Sequence, residues 1–277
     1  MGASPRPDPL ILLSFDVEEF DIVMERGNAI PVDEQFEVGR RGLEVVLELL
    51  DRAPARPKAT LFTTAVFAER YAGLTRHAAE RHEIASHGYS HAPELKAGDL
   101  ERSKKSLEDV CGVPVVGFRR ARMAPTDPRA IAAAGYTYNS SEHPVWLPGR
   151  YNNFFKPRLA YIPAEAPTLV NIPVSATPVV RIPLFWLAFK NFPAWVNRLL
   201  ARWTLGADGA VNFYWHPWEF CDIGGYGLPR LDRAVDGARL LKRLEDHIAC
   251  LTDRGRFGTF AEYAERVRNS LGPAGGN

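Results

Sequence analysis

The sequence predicts an α/β fold in which parallel strands either close into one barrel or form a wound sheet. Short apolar runs that end in polar residues alternate with helical patterns, and the connections between them are short. A continuous apolar run of this kind is typical of a strand buried on both faces. In such folds the chemistry lies at the carboxyl ends of the strands.

The elements can be placed in chain order from hydrophobic periodicity and from helix end signals. Gly112 follows a polar-faced helix where a left-handed residue usually ends it, and Asp127 caps another helix ahead of Pro128. The predicted elements are a strand at 10–17, a helix at 38–53, a strand and helix within 58–71, a helix at 99–112, a strand at 113–120, a helix at 127–136, a strand at 210–220, a helix at 237–255 and a strand and helix within 257–271.

The composition is that of a globular protein with a sizeable core. Of the 277 residues, 46% are apolar and 24% are charged. The net charge of +1 gives no support to a nucleic acid or an acidic membrane surface as partner. The three widely spaced cysteines, Cys111, Cys221 and Cys250, suit a reducing compartment without a disulfide framework. We expect one domain over 1–277, with its core at about 10–265.

The N-terminal sequence predicts a cytoplasmic protein. In MGASPRPDPLILLSFDVEEF, a short apolar run is followed at once by acidic residues, and the basic start and cleavage site of a secretory signal are absent. Arg6 stands where a myristoylation motif requires Ser or Thr. No uninterrupted apolar stretch is long enough to predict a membrane span.

The segment 144–204 interrupts the alternation of strands and helices. It is rich in proline and contains Trp146, Trp186, Trp195 and Trp203. Two interpretations stay open. The segment is either an insertion packed over the barrel, or an aromatic lid or groove for a sugar or a lipid-linked substrate.

His87 and His91, in the sequence SHGYSH, have a spacing that suits a metal site. On a helical turn, residues four apart lie on one face and can direct two imidazoles at one ion. Gly88 would keep the approach open. The motif alone is only suggestive, because such a pair also arises by chance in a chain with seven histidines. His82 follows a run of charges, and we expect it to be solvated.

Two groups elsewhere in the sequence could complete a hydrolytic site. Asp16 and Glu18 are two apart at the end of a strand and so point to the same side, opposite to Glu19. One carboxylate bound to a metal and a second left free is the arrangement for metal-assisted hydrolysis. The alternative is a run of solvated acids. His216, in NFYWHPWEF, is either a core histidine or a general acid.

The order SFDVEE, SHGYSH, GFRRAR, YTYNSS and HPWE resembles the polysaccharide deacetylase family, the fourth family of carbohydrate esterases. The resemblance runs from about residue 10 to 265 and is closest to the branch with DVE and HPWE motifs. It implies a distorted (β/α)7-type barrel, here with the 144–204 segment as an insertion. It also implies a divalent metal, most often zinc, held by two histidines and a carboxylate.

The resemblance also implies metal ligands and catalytic residues. His87 and His91 match the two histidine ligands, and Glu18 is the expected third ligand because Val17 replaces the carboxylate found there in the DD form. The remaining roles fall to three further residues: Asp16 as the catalytic base, Arg119 as the arginine that orients it, and His216 as the general acid.

The third and fourth motifs depart from the family pattern. Ala121 replaces a proline, and the backbone N–H of Arg122 is still expected to hold the oxyanion. Asn139 replaces the aspartate that faces the catalytic histidine, and an amide stabilises the imidazolium less well. Three further residues are expected on the substrate side of the site: Tyr89, Trp218 and Glu219.

These observations predict a metal-dependent hydrolase that removes an N-acetyl or other N-acyl group from an amino sugar or glycan precursor. Metal-activated water, an Asp base and a His acid would carry the reaction. One alternative keeps the site but acts as a deformylase or amidase on a lipid-linked or nucleotide-linked sugar or another small amide. A second alternative is an inactive carbohydrate-binding homologue, which the departures at Asn139 and Ala121 motivate.

Overall fold

The computed structural model describes residues 8–147 and 151–271. Within these ranges, eight parallel strands form one curved sheet in the order β9-β1-β2-β3-β4-β5-β8, and β10 pairs with the first residues of β1. A separate antiparallel pair, β6 and β7, lies outside it. The strands are β1 (Leu10–Val17), β2 (Thr60–Thr63), β3 (Glu83–Ser86), β4 (Gly117–Phe118), β5 (Tyr138–Asn139), β6 (Trp146–Leu147), β7 (Tyr151–Asn152), β8 (Val170–Asn171), β9 (Ala210–Trp215) and β10 (Arg256–Gly258).

The helices follow the strands and cover the outer face of the sheet. The prediction placed the first long helix at 38–53, whereas it begins six residues earlier. The helices are α1 (Ile22–Glu25), α2 (Val32–Arg52), α3 (Ala65–Arg70), α4 (Ala72–Ala79), α5 (Asp99–Cys111), α6 (Pro128–Ala133), α7 (Trp186–Asn191), α8 (Ala194–Asp208), α9 (Gly237–Leu251) and α10 (Phe260–Leu271). The strand expected at 113–120 is reduced to β4.

The distorted barrel is open between β8 and β9, where no strand pairing is formed among the described residues. Side chains bridge this gap instead. The Asn212 Oδ1 atom accepts a hydrogen bond from Ser175 N at 3.0 Å, and Ser175 Oγ accepts one from Asn212 N at 2.9 Å. The curved, nearly closed parallel sheet confirms the predicted α/β fold of distorted-barrel type.

Strand alternation decides which side chains of β1 face the interior of the curved sheet. Leu10 and Leu12 pack there with residues from β2, β5 and α10. Ser14 and Asp16 follow on the same side, because they continue the period of two along the strand. The alternation therefore carries an aspartate to the interior at the carboxyl end of the central strand.

Helix α2 packs closely against the turn at Pro217–Phe220, directly after β9. A Cβ atom on Gly42 would lie 2.0 Å from the Pro217 carbonyl oxygen, so only glycine permits this approach. The contact fixes the backbone that follows His216. The predicted ends of two other helices are confirmed, because Gly112 is left-handed after α5 and Asp127 accepts a hydrogen bond from Arg129 N at the start of α6.

The segment 144–204 contributes to the sheet as well as covering it. Strand β8 pairs with β5, and α8 leads directly into β9. Trp186 is buried, whereas Trp195 and Trp203 are exposed on α8 and Trp146 is exposed on β6. None of the helices within residues 8–147 and 151–271 combines the length and apolar character that a membrane span requires.

Candidate active site

A cavity of about 50 Å³ opens at the carboxyl ends of β1, β3 and β9. It brings together most of the residues that the motifs had singled out, from positions as far apart in the chain as Asp16 and Trp218. The lining residues are Asp16, Glu18, Asp21, Ile22, Glu25, Arg26, His87, His91, Arg122, Met123, Trp186, Tyr214, His216 and Trp218.

Three ligand atoms converge on one side of the cavity. The Glu18 Oε2 atom lies 3.0 Å from His87 Nε2 and 3.0 Å from His91 Nε2. All three residues are buried, and their side chains form a group that could hold a metal ion. The structure thus brings the three predicted metal ligands together.

The route by which the two histidines meet differs from the prediction. His87 and His91 lie in the loop after β3 and not on a helical turn. Gly88 has a φ of +92° there, a left-handed conformation that turns the chain back on itself. The two imidazole rings stack with centroids 5.5 Å apart. A glycine-dependent turn therefore produces the convergence that the sequence analysis had assigned to helical spacing.

Asp21 orients His91, a role that the sequence analysis did not assign. Both carboxylate oxygens of Asp21 lie 2.9 Å from His91 Nδ1. A hydrogen bond from Nδ1–H to this carboxylate leaves the lone pair on Nε2, which faces Glu18. Arg122 holds Asp21 in turn, with its Nη2 atom 3.0 Å from Asp21 Oδ2, and also pairs with Glu25.

The chemistry of this donor set fits a divalent cation. Two imidazoles, one carboxylate and room for a further ligand are typical of catalytic zinc sites. Glu18 Oε2 is buried and accepts no hydrogen bond from any described residue. Burial alone would raise the pKa of Glu18, but His91, His216 and His87 together lower it well below its ordinary value. An ionised carboxylate that faces two imidazole nitrogens is best satisfied by a cation between them.

Asp16 and Arg119 form a buried pair on the other side of the cavity. Arg119 Nη1 donates to Asp16 Oδ1 at 2.6 Å, and the arginine side chain is wholly buried. Further hydrogen bonds to Ser14 and Ser140 and the Phe62 ring, 3.8 Å from the guanidinium carbon, fix the arginine. The predicted contact between Arg119 and the expected base is present.

His216 approaches the same cavity from the end of β9. Its Nε2 atom lies 3.9 Å from Glu18 Oε1, while its Nδ1 atom lies 2.9 Å from Glu219 Oε1. Burial disfavours the imidazolium, but the Glu18 and Glu219 carboxylates outweigh it and raise the pKa of His216. The His216 ring also stacks on Trp218, with centroids 4.8 Å apart, and meets the edge of Trp186.

Two predicted site residues have different partners from those expected. Asn139 does not orient His216; it donates to Asn171 Oδ1 at 2.6 Å and accepts from Ser141. Glu219 is wholly buried and, through its hydrogen bonds with His216, takes the place expected of the fourth-motif residue. The partner of His216 is thus a glutamate three positions later in the chain and not the expected residue on another strand.

Trp218 and Tyr89 also differ from the expectation. Trp218 lines the cavity, but its Nε1–H points at Glu18 Oε1 at 3.3 Å and so supports a ligand of the candidate metal site. Tyr89 lies away from the cavity, with its hydroxyl donating to Glu69 and its ring stacked by Arg102. The loop after His87 turns at Gly88, and this turn directs Tyr89 towards α3 and α5.

His82 was expected to be solvated and is instead buried. Its Nδ1 atom accepts a hydrogen bond from Ala59 N at 3.2 Å. Burial, with a smaller contribution from Arg81, lowers the pKa of His82 to about 4. The charged residues before it in the sequence lie at the surface, whereas the chain turns inward at the start of β3.

A larger groove of about 610 Å³ adjoins the cavity and shares Arg122 and Met123 with it. Backbone φ angles of +59° at Arg122 and +53° at Met123 mark a tight turn between the two spaces. The remaining lining residues are Ala124, Pro125, Thr126, Pro128, Asn139, Ser141, Glu142, Asn152, Asn153, Lys156, Tyr161 and Glu165.

Solved structures with the same fold are found at low sequence identity. A presumed polysaccharide deacetylase from Mycobacterium smegmatis matches with a TM-score of 0.68 and 21% identity, covering 100% of this chain and 96% of that one. The allantoinase PuuE matches with a TM-score of 0.66 and 17% identity, covering 98% and 96%. A probable polysaccharide deacetylase from Pseudomonas aeruginosa PAO1 has a TM-score of 0.63 and 17% identity, covering 92% and 89%.

Comparison at the level of sequence gives the family. No curated protein matches the chain. The sequence model of the family described as Polysaccharide deacetylase matches residues 5–138, which include Asp16, Glu18, His87, His91 and Arg119. Over this stretch, which carries every predicted metal ligand, the chain matches the polysaccharide deacetylase family.

Proposed function

We propose that the protein is a metal-dependent hydrolase that removes an N-acetyl group from an amino sugar or glycan precursor. The observation that carries this proposal is the convergence of Glu18, His87 and His91 with Asp16 and His216 around one small cavity. A binding protein has no need for a metal-type ligand set flanked by a carboxylate and an imidazole.

Glu18, His87 and His91 would hold the cation, with zinc the best match to two imidazoles and one carboxylate. When bound, a divalent cation supplies Lewis-acid polarisation of the acyl carbonyl and of the attacking water. Asp21 and Trp218 keep two of these ligands in place, through His91 Nδ1 and Glu18 Oε1 respectively.

Asp16 would act as the general base. It lines the cavity, and one of its oxygens is held by Arg119. The carboxylate would take a proton from a water as that water attacks the acyl carbon. Because Arg119 also bonds Ser14 and Ser140, it keeps Asp16 in a fixed orientation while the proton moves.

His216 would act as the general acid, giving the proton on Nε2 to the leaving amine. Glu219 binds Nδ1, so Nε2 is the nitrogen that faces the cavity. Arg122 also lines the cavity, and its backbone N–H would bind the developing oxyanion.

The adjoining groove supports a carbohydrate substrate. Amide, hydroxyl and charged side chains such as Asn153, Ser141 and Lys156 provide donors and acceptors along its wall, as a polyhydroxylated ligand requires. The cavity of about 50 Å³ suits a small acyl group, while the groove of about 610 Å³ has room for the sugar that bears it.

A second candidate is hydrolysis of a small amide. The small volume of the cavity favours it, and the fold is shared with an allantoinase. Such a substrate would fit beside the Glu18–His87–His91 cluster without entering the groove. The two candidates differ in whether groove residues contribute to KM.

The test is a product-release screen with the zinc-loaded protein. Acetate and formate would be measured after incubation with N-acetylglucosamine oligomers, nucleotide-linked and lipid-linked N-acetyl sugars, and allantoin. We expect acetate release from an N-acetyl sugar, and a higher KM for that sugar in Asn153→Ala at unchanged kcat. Ring opening of allantoin alone would favour the second candidate, and binding of sugars without turnover would favour an inactive homologue.

A further inference from the structure

Lys190 is a buried charge that the proposed reaction does not use. It lies on α7, in the proline-rich segment and outside the residues matched by the family model. Its side chain is wholly buried, and its Nζ atom lies 2.9 Å from Glu219 Oε2 in an ion pair. A lysine is rarely buried unless it is paired, so the ion pair with Glu219 accounts for its burial. The question is what this pair does for the residues around it.

Glu219 divides its two oxygens between Lys190 and His216. Its Oε1 atom accepts from both the backbone N–H of His216, at 2.7 Å, and the ring Nδ1, at 2.9 Å. Its Oε2 atom faces only Lys190 among the described residues. The three side chains therefore form a chain of contacts from Lys190 through Glu219 to His216.

The position of Lys190 is itself fixed. Its Nζ atom donates to the Asp232 carbonyl oxygen at 2.7 Å and lies 5.3 Å and 5.6 Å from the ring centroids of Trp186 and Trp218. The same two indoles also contact His216. Lys190 and His216 therefore share Trp186 and Trp218 as neighbours.

Resting on the proposed function, we propose that Lys190 is a positioning residue that keeps Glu219 ionised, so that Glu219 can only accept from His216 Nδ1. An ionised carboxylate has no proton to donate, which leaves Nδ1 as the donor and presents Nε2 to the substrate. A neutral Glu219 could donate to Nδ1 instead, and the ring could then not carry protons on both nitrogens, as the acid that gives up its Nε2 proton must. Consistent with this, burial would raise the pKa of Glu219, but Lys190 and His216 lower it.

The variants separate the effect of the charge at position 190 from the effect of side-chain packing there. Lys190→Gln removes the charge and keeps a hydrogen-bonding side chain, whereas Lys190→Arg keeps the charge. Asn191→Ala is the matched control. Asn191 donates to the Leu231 carbonyl oxygen, much as Lys190 donates to the Asp232 carbonyl oxygen, but Asn191 is exposed. The double variant Lys190→Gln/Glu219→Gln shows whether Lys190 acts through Glu219.

The first readout does not depend on turnover. Zinc-loaded proteins labelled with ¹⁵N in histidine would be studied by long-range ¹H–¹⁵N NMR, with His216 assigned by its loss in His216→Gln. We expect a strongly hydrogen-bonded His216 Nδ1–H in the wild type, in Lys190→Arg and in Asn191→Ala, and a weakened or lost Nδ1–H signal in Lys190→Gln. A folded Lys190→Gln protein with wild-type His216 signals would overturn the proposal.

The second readout uses chitotetraose as the N-acetylated probe. Lys190→Gln should lower kcat about 10-fold or more, with KM and bound zinc unchanged, and Lys190→Arg should recover part of that loss. In the Glu219→Gln background, Lys190→Gln should change neither kcat nor the His216 signals, and a further loss there contradicts the proposal. A wild type inactive on every N-acetyl sugar would refute the proposed function, while the NMR result would still decide the role of Lys190.

Discussion

Residues 10–123 supply Asp16, Glu18, His87, His91 and Arg119, whereas residues 186–219 supply His216 with the groups that hold it. We call these the N-terminal and the C-terminal half-site. The N-terminal half-site lies within the match to the family, and the C-terminal half-site lies beyond residue 138. In the first, the functional side chains lie on strand ends or within a few residues of them.

The C-terminal half-site depends on longer-range packing. His216 follows β9, but its support comes from Lys190 on α7, from the 3₁₀ turn that carries Glu219, and from α2 through Gly42. The comparison shows that short motifs are enough to bring Glu18, His87 and His91 together. The surroundings of the His216 imidazole, in contrast, are assembled from separate parts of the chain.

Removal of a ligand from the N-terminal half-site should have the largest effect. Glu18→Gln takes away the oxygen that lies between the two imidazole nitrogens. We expect zinc affinity to fall more than about 100-fold and turnover to be lost with it, because the removed carboxylate is a direct ligand in the proposed site. Zinc content after dialysis and acetate release would measure both effects.

Glu25→Gln is the matched control for that prediction. Glu25 belongs to a second group with Asp21 and His91 that could hold an ion but is more exposed. Zinc content should be unchanged in Glu25→Gln. Loss of zinc in this variant with retention in Glu18→Gln would place the ion in the second group instead.

Asp16→Asn should separate catalysis from metal binding. The amide keeps a hydrogen bond with Arg119 but cannot take a proton, so we expect kcat to fall about 10²–10⁴-fold at unchanged zinc content. Steady-state kinetics and metal analysis of the same preparation check this. A parallel loss of zinc and kcat would mean that Asp16 is a ligand.

Two supporting residues, one from each half-site, should have intermediate effects. Asp21→Asn weakens the hydrogen bond that orients His91, and we expect zinc affinity to fall about 10-fold to 100-fold. Trp218→Phe removes the longer hydrogen bond to Glu18, and the loss should be smaller. Zinc titration with a competing chelator gives both values. A larger loss of zinc affinity in Trp218→Phe than in Asp21→Asn would contradict this prediction.

Buried His82 should make the protein less stable in acid. Folded His82 has a pKa lowered to about 4 by burial, against an ordinary value of 6.5. Between these values the unfolded state binds the proton and the folded state does not, so stability is lost as the pH falls through this window. His82→Asn should reduce the slope by up to about 1.4 kcal/mol per pH unit in urea titrations. An unchanged slope in His82→Asn would contradict this account.

His247, beside the C-terminal half-site, should tolerate loss of its polarity better than His82. Neither of its ring nitrogens has a hydrogen-bond partner in the described part of the chain, and it packs against Phe189 and Phe213. His247→Leu should therefore stabilise the fold by about 1 kcal/mol. His82→Leu is the contrasting variant, because it strands the Ala59 N–H and should destabilise. Destabilisation by His247→Leu would contradict this account.

Much of the N-terminal half-site could be predicted from the sequence. Asp16 and Glu18 face one side because a strand has a period of two, and His87 and Arg119 follow strands that run parallel to β1. The turn that brings His91 to His87 could not be predicted in detail. It depends on a positive φ at Gly88, which the spacing of four positions does not reveal.

The residues that hold His216 in place could not be predicted from the sequence. Asn139 occupies the expected motif position, but its amide is satisfied by Asn171 on β8, a strand too short to detect by periodicity. Lys190 interrupts an apolar helix. This interruption indicates a buried ion pair only when Glu219 is known to be its partner. His82 was wrongly predicted to be solvated, because the charges beside it in the sequence do not share its burial.

The most direct test of the account is a zinc titration of the metal-free protein in which bound zinc and acetate release from an N-acetylglucosamine oligomer are measured together. The account predicts that both rise in parallel and reach a plateau at about one zinc per chain, as one cluster of three ligands requires. A wild-type protein that binds no zinc, or that releases acetate at the same rate without it, would contradict the account.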